Sequence, residues 1–271
     1  MTTWDYGIYV TLNNLWGYSF LKGTVGIISF VLMSLNGIIG IFTLYYVFKK
    51  YKKTGNIGDF IFFLAGIFLF TGVIATVIRD ISSSLNLFGI RDIMLILSII
   101  CIAAAAVCSN VFSIRYTYPE KVKIFTILFV IPIAILNISV LSWAIINDVA
   151  STRAVLVQDP YIHFMLTFEY PLIIQLIIYI TAIPSAIFPP AVFFYFARKI
   201  QEENKPQSSL SVWFGISLLC IGFGYIFEFF IFIPLLILPL LTRGLYLSFI
   251  IIMYIIFSFP DWFKRRINWP D

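Results

Sequence analysis

Long apolar runs alternate with short polar punctuation along this chain. Seven runs have the roughly 20 apolar residues that a lipid-crossing helix needs. They are predicted at Thr24–Phe48, Gly58–Ile78, Ile93–Ile114, Ile124–Ile146, Leu172–Ala197, Leu210–Phe232 and Gly244–Phe259. Each run is apolar on all sides, without the stripe of a helix half-sunk in a soluble core. Ile and Val are frequent, which lowers helix propensity in water. In lipid, the cost of unpaired backbone groups outweighs that preference. The pattern predicts an all-α integral membrane protein of seven transmembrane helices.

The division that follows is an extracellular interfacial leader at 1–23, a seven-helix bundle at 24–261 and a short basic cytoplasmic tail at 262–271. In the leader, Trp4, Ile8, Leu12, Trp16 and Phe20 recur every four residues, as in a short helix lying in the interface. The leader lacks the basic start and continuous apolar core of a secretory signal. The stretch between runs four and five contains "RAVLV", with strand character, and a turn at Asp159-Pro160. A small extracellular lid is expected there.

Charge adds an orientation. Of 18 Lys and Arg, thirteen fall on alternate connections. These are Lys49, Lys50, Lys52 and Lys53; Arg115, Lys121 and Lys123; Arg198, Lys199 and Lys205; and Lys264, Arg265 and Arg266. Lys22, Arg79, Arg91, Arg153 and Arg243 fall on the others. The positive-inside rule then places the N-terminus outside and the C-terminus in the cytoplasm of a cell membrane. The net charge of +5 reads as topology and attraction to anionic headgroups, not as nucleic-acid binding.

Composition agrees: 61% of the residues are hydrophobic and 11% charged, against about 25% charged in soluble domains. Cys101, Cys108 and Cys220 lie in apolar runs without metal-ligand spacing, and His163 has no ligand-type neighbour. No metalloprotease, nucleophile-elbow, kinase or phosphate-loop motif occurs, nor a mid-membrane lysine in run seven for a retinal Schiff base. No catalytic residue, metal or cofactor is expected, and the protein is read as a non-enzyme.

Ionisable groups collect at the predicted outer face. Arg79, Asp80, Arg91 and Asp92 flank the connection between runs two and three. Glu228 lies about 18 residues along run six, roughly 27 Å from its cytoplasmic start. Arg243 is expected to open run seven at a similar depth. An acid at membrane level needs a partner, so Glu228 is expected to pair with Arg243, Arg79 or Arg91, as a structural ion pair or a ligand site. Asn137, Ser142, Gln175, Tyr179, Ser98 and Tyr225 add polar groups in the outer half. They suit either ligand orientation or hydrogen bonds between helices.

Run five contains Pro184, Pro189 and Pro190. Each removes a backbone donor and crowds the preceding turn, so a kink or break is expected, as a candidate hinge or a fixed bend. Gly37, Gly40, Gly222 and Gly224 permit close helix contact, without GxxxG spacing.

Run seven leaves the membrane through "FSFPDWFKRR". Pro260 ends the helix, Trp262 and Trp269 suit the headgroup zone, and the cations anchor the end. With its N-outside seven-helix topology and short cytoplasmic loops, the chain resembles the seven-helix membrane sensor regions found ahead of histidine kinases and related output domains in archaea and bacteria. That resemblance implies a receptor-like or sensor-like role for an outer-face ligand. Since five residues follow Arg266, the expected partner is a separate cytoplasmic signalling protein, with a second copy of the chain an open alternative. A small transporter or channel-like protein, and a structural subunit of a membrane complex, are the competing readings.

Overall fold

The computed structural model describes residues 24–84, 87–146, 172–230 and 238–270, apart from a minority of side chains. The leader, the expected lid with His163, and the link between runs six and seven lie outside the described residues. Among the described residues every regular element is helical. The helices are α1 (Thr24–Thr54), α2 (Ile57–Ser84), α3 (Phe88–Thr117), α4 (Val122–Ile146), α5 (Leu172–Lys199), α6 (Lys205–Phe230), α7 (Leu238–Ser258) and the short α8 (Asp261–Arg266). A single 3₁₀ turn, Pro119–Lys121, joins α3 to α4.

Among the described residues, six segments are long and apolar enough to cross a membrane: Val31–Thr54, Ile57–Ala75, Ile96–Thr117, Pro119–Ser139, Lys205–Gly224 and Leu240–Ser258. They correspond to six of the seven predicted runs. The other run, α5, is a 28-residue helix that holds the three prolines. It continues through all of them, so of the expected kink or break the break does not occur.

Packing arranges the helices in a ring. α1 lies against α2, α2 against α3, α3 against α5, α5 against α6, α6 against α7, and α7 returns to α1. α4 packs on α3 and α5. Its other face is uncovered among the described residues, with Ile124 at 65% and Ile138 at 66% exposure. The polarity runs opposite to that of a water-soluble bundle. Asn36, Asn110, Ser113, Ser211 and Ser217 are buried, while isoleucines such as Ile38, Ile41, Ile131 and Ile180 face outward.

The basic residues of the short connections gather at one end, called here the basic end. Lys50 lies over the Phe257 ring of α7, and Lys121 and Lys199 both lie over the Tyr118 ring. The turn from α1 to α2 is closed by local hydrogen bonds. Gly55 takes the left-handed conformation (φ 64°) and its N–H reaches the Tyr51 carbonyl. Asn56 then accepts from the Gly58 N–H at 2.8 Å, which caps α2.

The C-terminal residues form a helix docked on the bundle. α7 ends at Ser258, and Phe259 adopts φ 51°. Its N–H bonds the Ile255 carbonyl, the left-handed cap usually made by glycine. A phenylalanine there costs on the order of 1–3 kcal/mol, and the packing of its ring offsets this. The ring meets Phe263 at 5.8 Å and Trp269 at 5.2 Å. Phe263 and Ile267 are buried in the main hydrophobic cluster, and Trp213 of α6 meets Phe263 edge-on at 5.7 Å. α8 closes with Asn268 at φ 54°, Trp269 N–H on Lys264 O and Asn268 N–H on Arg265 O. This paired arrangement satisfies the last carbonyls of a helix.

Candidate functional site

The three prolines of α5 leave the carbonyls of Ile180, Ser185 and Ala186 without their usual donors four residues on. Two of these carbonyls meet neighbouring helices. Asn110 of α3 is fully buried, and its Nδ2 donates to Ser185 O at 2.9 Å and to Ala106 O, one turn back on its own helix, at 2.8 Å. Gly222 of α6 faces Ala186 O so closely that an added Cβ would lie 2.7 Å from that oxygen. Only glycine leaves room for that approach. The proline segment is therefore held from two sides, by an amide on α3 and by bare backbone on α6. Pro189 and Pro190 are buried, whereas Pro184 is exposed.

One turn beyond Pro189, Phe193 enters a group of rings contributed by five helices. It stacks on Phe214 of α6 at 5.1 Å and approaches Phe112 of α3 at 5.9 Å. Phe112 meets Phe62 of α2 at 4.7 Å, and Phe62 stacks on Phe257 of α7 at 5.0 Å. Phe214 meets Phe257 edge-on, so the rings close on themselves across the bundle. Tyr116 packs on Phe193 and Phe214, and its hydroxyl accepts from Gln207 Nε2 at 2.8 Å. Ser208 Oγ donates to Ala197 O, and Ser217 Oγ to Phe249 O. These bonds tie α6 to α5 and α7.

Asp59 lies buried beside this aromatic group, in the first turn of α2. Lys50 Nζ is 3.8 Å from its Oδ1, and Thr54 Oγ1 donates to its Oδ2 at 3.1 Å. At the adjoining corner, the Tyr118 hydroxyl is buried and has no hydrogen-bond partner among the described residues. Burial raises the pKa of the Tyr118 phenol, with Tyr195 and Glu120 adding to the shift, so the group stays protonated.

At the opposite end, Arg243 is buried at 3% exposure. It stands inside α7, which begins at Leu238, so it does not open the helix as the sequence suggested. Its carbonyl accepts from Asn36 Nδ2 of α1 at 3.4 Å, and its guanidinium lies 5.8 Å from the Tyr246 ring. Asn137 Nδ2 donates to Ile133 O within α4. Ser98 is buried. The side chains of Glu228, Arg79, Asp80, Arg91, Asp92, Gln175, Tyr179, Ser142 and Tyr225 lie outside the described residues. Among the described residues no three His, Cys, Asp or Glu side chains come together.

Asn110 and Asp59 were not singled out from the sequence. Each carried a local signal: an amide inside the apolar stretch "VCSNVFSI", and an acid three residues after the turn-forming Gly55-Asn56.

Among the described residues these elements make an all-helical bundle with six helices long and apolar enough to cross a membrane, polar groups turned inward and one basic end. Comparison with protein families, curated proteins and solved structures returns no match.

Proposed function

We propose that the chain is a seven-helix membrane protein with its N-terminus outside and its C-terminus in the cytoplasm. It acts as a non-enzymatic, receptor-like or sensor-like bundle. A ligand reaches the outer face, and a shift passes to a separate signalling protein at the basic end. In this reading α5 is the seventh span; its 28 residues extend about 42 Å, against a hydrocarbon core of about 30 Å.

The observation that carries the reading is the proline segment of α5. It is held by Asn110 and Gly222, and lies one turn from Phe193, where the aromatic group begins. From there, ring contacts run through Phe214 to Phe257, and the neighbouring Trp213 touches Phe263 of α8. Displacing this segment moves contacts that end at the basic face. Packed cores favour discrete rearrangements over gradual deformation.

Spin labels at positions 203 and 268, with distances measured in lipid nanodiscs, test the relay. Two distance populations are expected, and Pro189→Ala with Pro190→Ala should collapse them to one. A single narrow population, unchanged by the substitutions, defeats the reading. Orientation is checked by cysteine labelling: positions 54 and 204 from the cytoplasm, position 153 from outside.

The aromatic closure favours a second reading, a small transporter or channel-like protein whose pathway is shut at the basic end. Under that reading, Phe112→Ala with Phe214→Ala should produce solute or ion leak in vesicles. The relay reading predicts vesicles that stay tight.

A further inference from the structure

We propose that the corner formed by Tyr118, Lys121 and Lys199 is a binding site for a phosphate-bearing anion, occupied in the membrane by the phosphodiester of an anionic phospholipid. The inference deepens the membrane reading above and rests on it.

Three observations meet at this corner. Lys121 Nζ is 5.6 Å and Lys199 Nζ 5.8 Å from the centre of the Tyr118 ring, so two ammonium groups from different connections share one aromatic side chain. The Tyr118 hydroxyl is buried and makes no hydrogen bond among the described residues. A buried donor without an acceptor is unfavourable. Both lysines are exposed, so their side chains can turn toward a ligand. A phosphodiester offers what the corner lacks: one negative charge beside two cations and an acceptor oxygen for the phenol.

Location gives the same answer. The 3₁₀ turn Pro119–Lys121 begins where one membrane-length segment ends at Thr117 and the next starts at Pro119, and α5 ends at Lys199. Tyr118 meets Phe196 of α5 edge-on at 6.2 Å, which fixes the ring between α3 and α5. Arg115, Lys123, Arg198 and Lys205 lie on the same two connections, with Glu120, Glu202 and Glu203 as their acids. Cations outnumber acids six to three there, so the corner attracts an anion despite the glutamates. Lipid tails would lie along the bare face of α4, which begins at this turn.

The test uses the full chain in nanodiscs of phosphatidylcholine with phosphatidylglycerol, and native mass spectrometry counts the anionic lipids retained on release. Lys121→Gln with Lys199→Gln should weaken retention, roughly five-fold for each lysine removed. Lys49→Gln with Lys53→Gln, an equal charge change elsewhere on the basic end, should leave retention near the parent value. Tyr118→Phe supplies an independent readout. Added phosphatidylglycerol should raise the melting temperature of the parent in detergent, and raise that of Tyr118→Phe less. Inorganic phosphate in place of the lipid separates the sources: no stabilisation by millimolar phosphate supports a lipid site, and equal stabilisation overturns it in favour of a free anion. Equal loss of retention in both lysine pairs also overturns the site. If the parent enters nanodiscs yet retains no excess phosphatidylglycerol, the site fails while the membrane reading stands. If it does not enter nanodiscs at all, the membrane reading fails first.

Discussion

Asn110 on α3 donates its Nδ2 to the carbonyl of Ser185 on α5 at 2.9 Å, and that carbonyl is the one Pro189 deprives of its helical donor. The two residues are 75 positions apart, and each answers the other's need. Without Asn110, the Ser185 carbonyl loses this bond from α3. Without Pro189, α5 supplies its own donor and the amide becomes dispensable.

That reciprocity predicts a non-additive cycle. Asn110→Leu should destabilise the protein by about 1–3 kcal/mol, the cost of removing buried hydrogen bonds to Ser185 and Ala106. Pro189→Ala should return part of that loss in the Asn110→Leu background by restoring an N–H for Ser185. Thermal unfolding of the parent, both single variants and the double variant in one detergent measures this. Strictly additive losses would show that the bond to Ser185 does not matter.

Gly222→Ala should destabilise the α5–α6 contact. Replacing a helical glycine by alanine ordinarily gains about 0.5–1 kcal/mol. Here the new methyl lies 2.7 Å from the Ala186 carbonyl oxygen, and overpacking costs about 1–3 kcal/mol. The second effect wins. Gly89→Ala meets nothing within 4 Å and should be neutral or stabilising in the same melting assay.

The Lys50–Asp59 pair should behave as intermediate between exposed and buried ion pairs. Asp59 is buried, while the Lys50 side chain is 40% exposed and 3.8 Å away. Lys50→Gln should cost about 1–2 kcal/mol, and adding Asp59→Asn should recover part by removing the buried charge. Denaturation measured at low and high salt checks it: burial predicts weak screening.

The Asp261 carboxylate stands in the first turn of α8 and accepts from Lys264 Nζ at 3.0 Å. That hydrogen bond, together with the Lys264 charge, lowers its pKa below the ordinary aspartate value. The folded pKa lies below the unfolded one, so the contribution is present above the unfolded value, near 3.9. It is lost as pH falls through the folded value. A carboxyl-detected NMR titration should give a midpoint under that of an unstructured aspartate, and Lys264→Gln should move it upward.

Much of the architecture was legible because its causes are local. A run of about 20 apolar residues must satisfy its backbone internally in lipid, and helix is the open-ended way to do so. Six predicted runs therefore coincide with helices of spanning length, and the stop at Pro260 coincides with the end of α7. Arg243 was misplaced because apolar residues precede it from Leu238, and a single cation does not end a helix. The proline segment was visible as a strain in α5; its relief by Asn110 and Gly222 was not. In uniformly apolar helices no periodicity marks the inward face, so the partners of a polar residue cannot be read from its own run.

The sequence by itself determined the all-helical class, the position of most helices and the concentration of cations on alternate connections. These follow from run length and residue type, which act over one or two turns. The tertiary structure alone decided that Asn110 meets Ser185, that Phe193 closes a ring of aromatics with Phe62, Phe112, Phe214 and Phe257, and that Phe263 returns to the bundle. Each of those depends on the rotation and depth of one helix against another. In an apolar chain, rotation and depth are set by how a few small, polar and aromatic side chains fit together across the bundle.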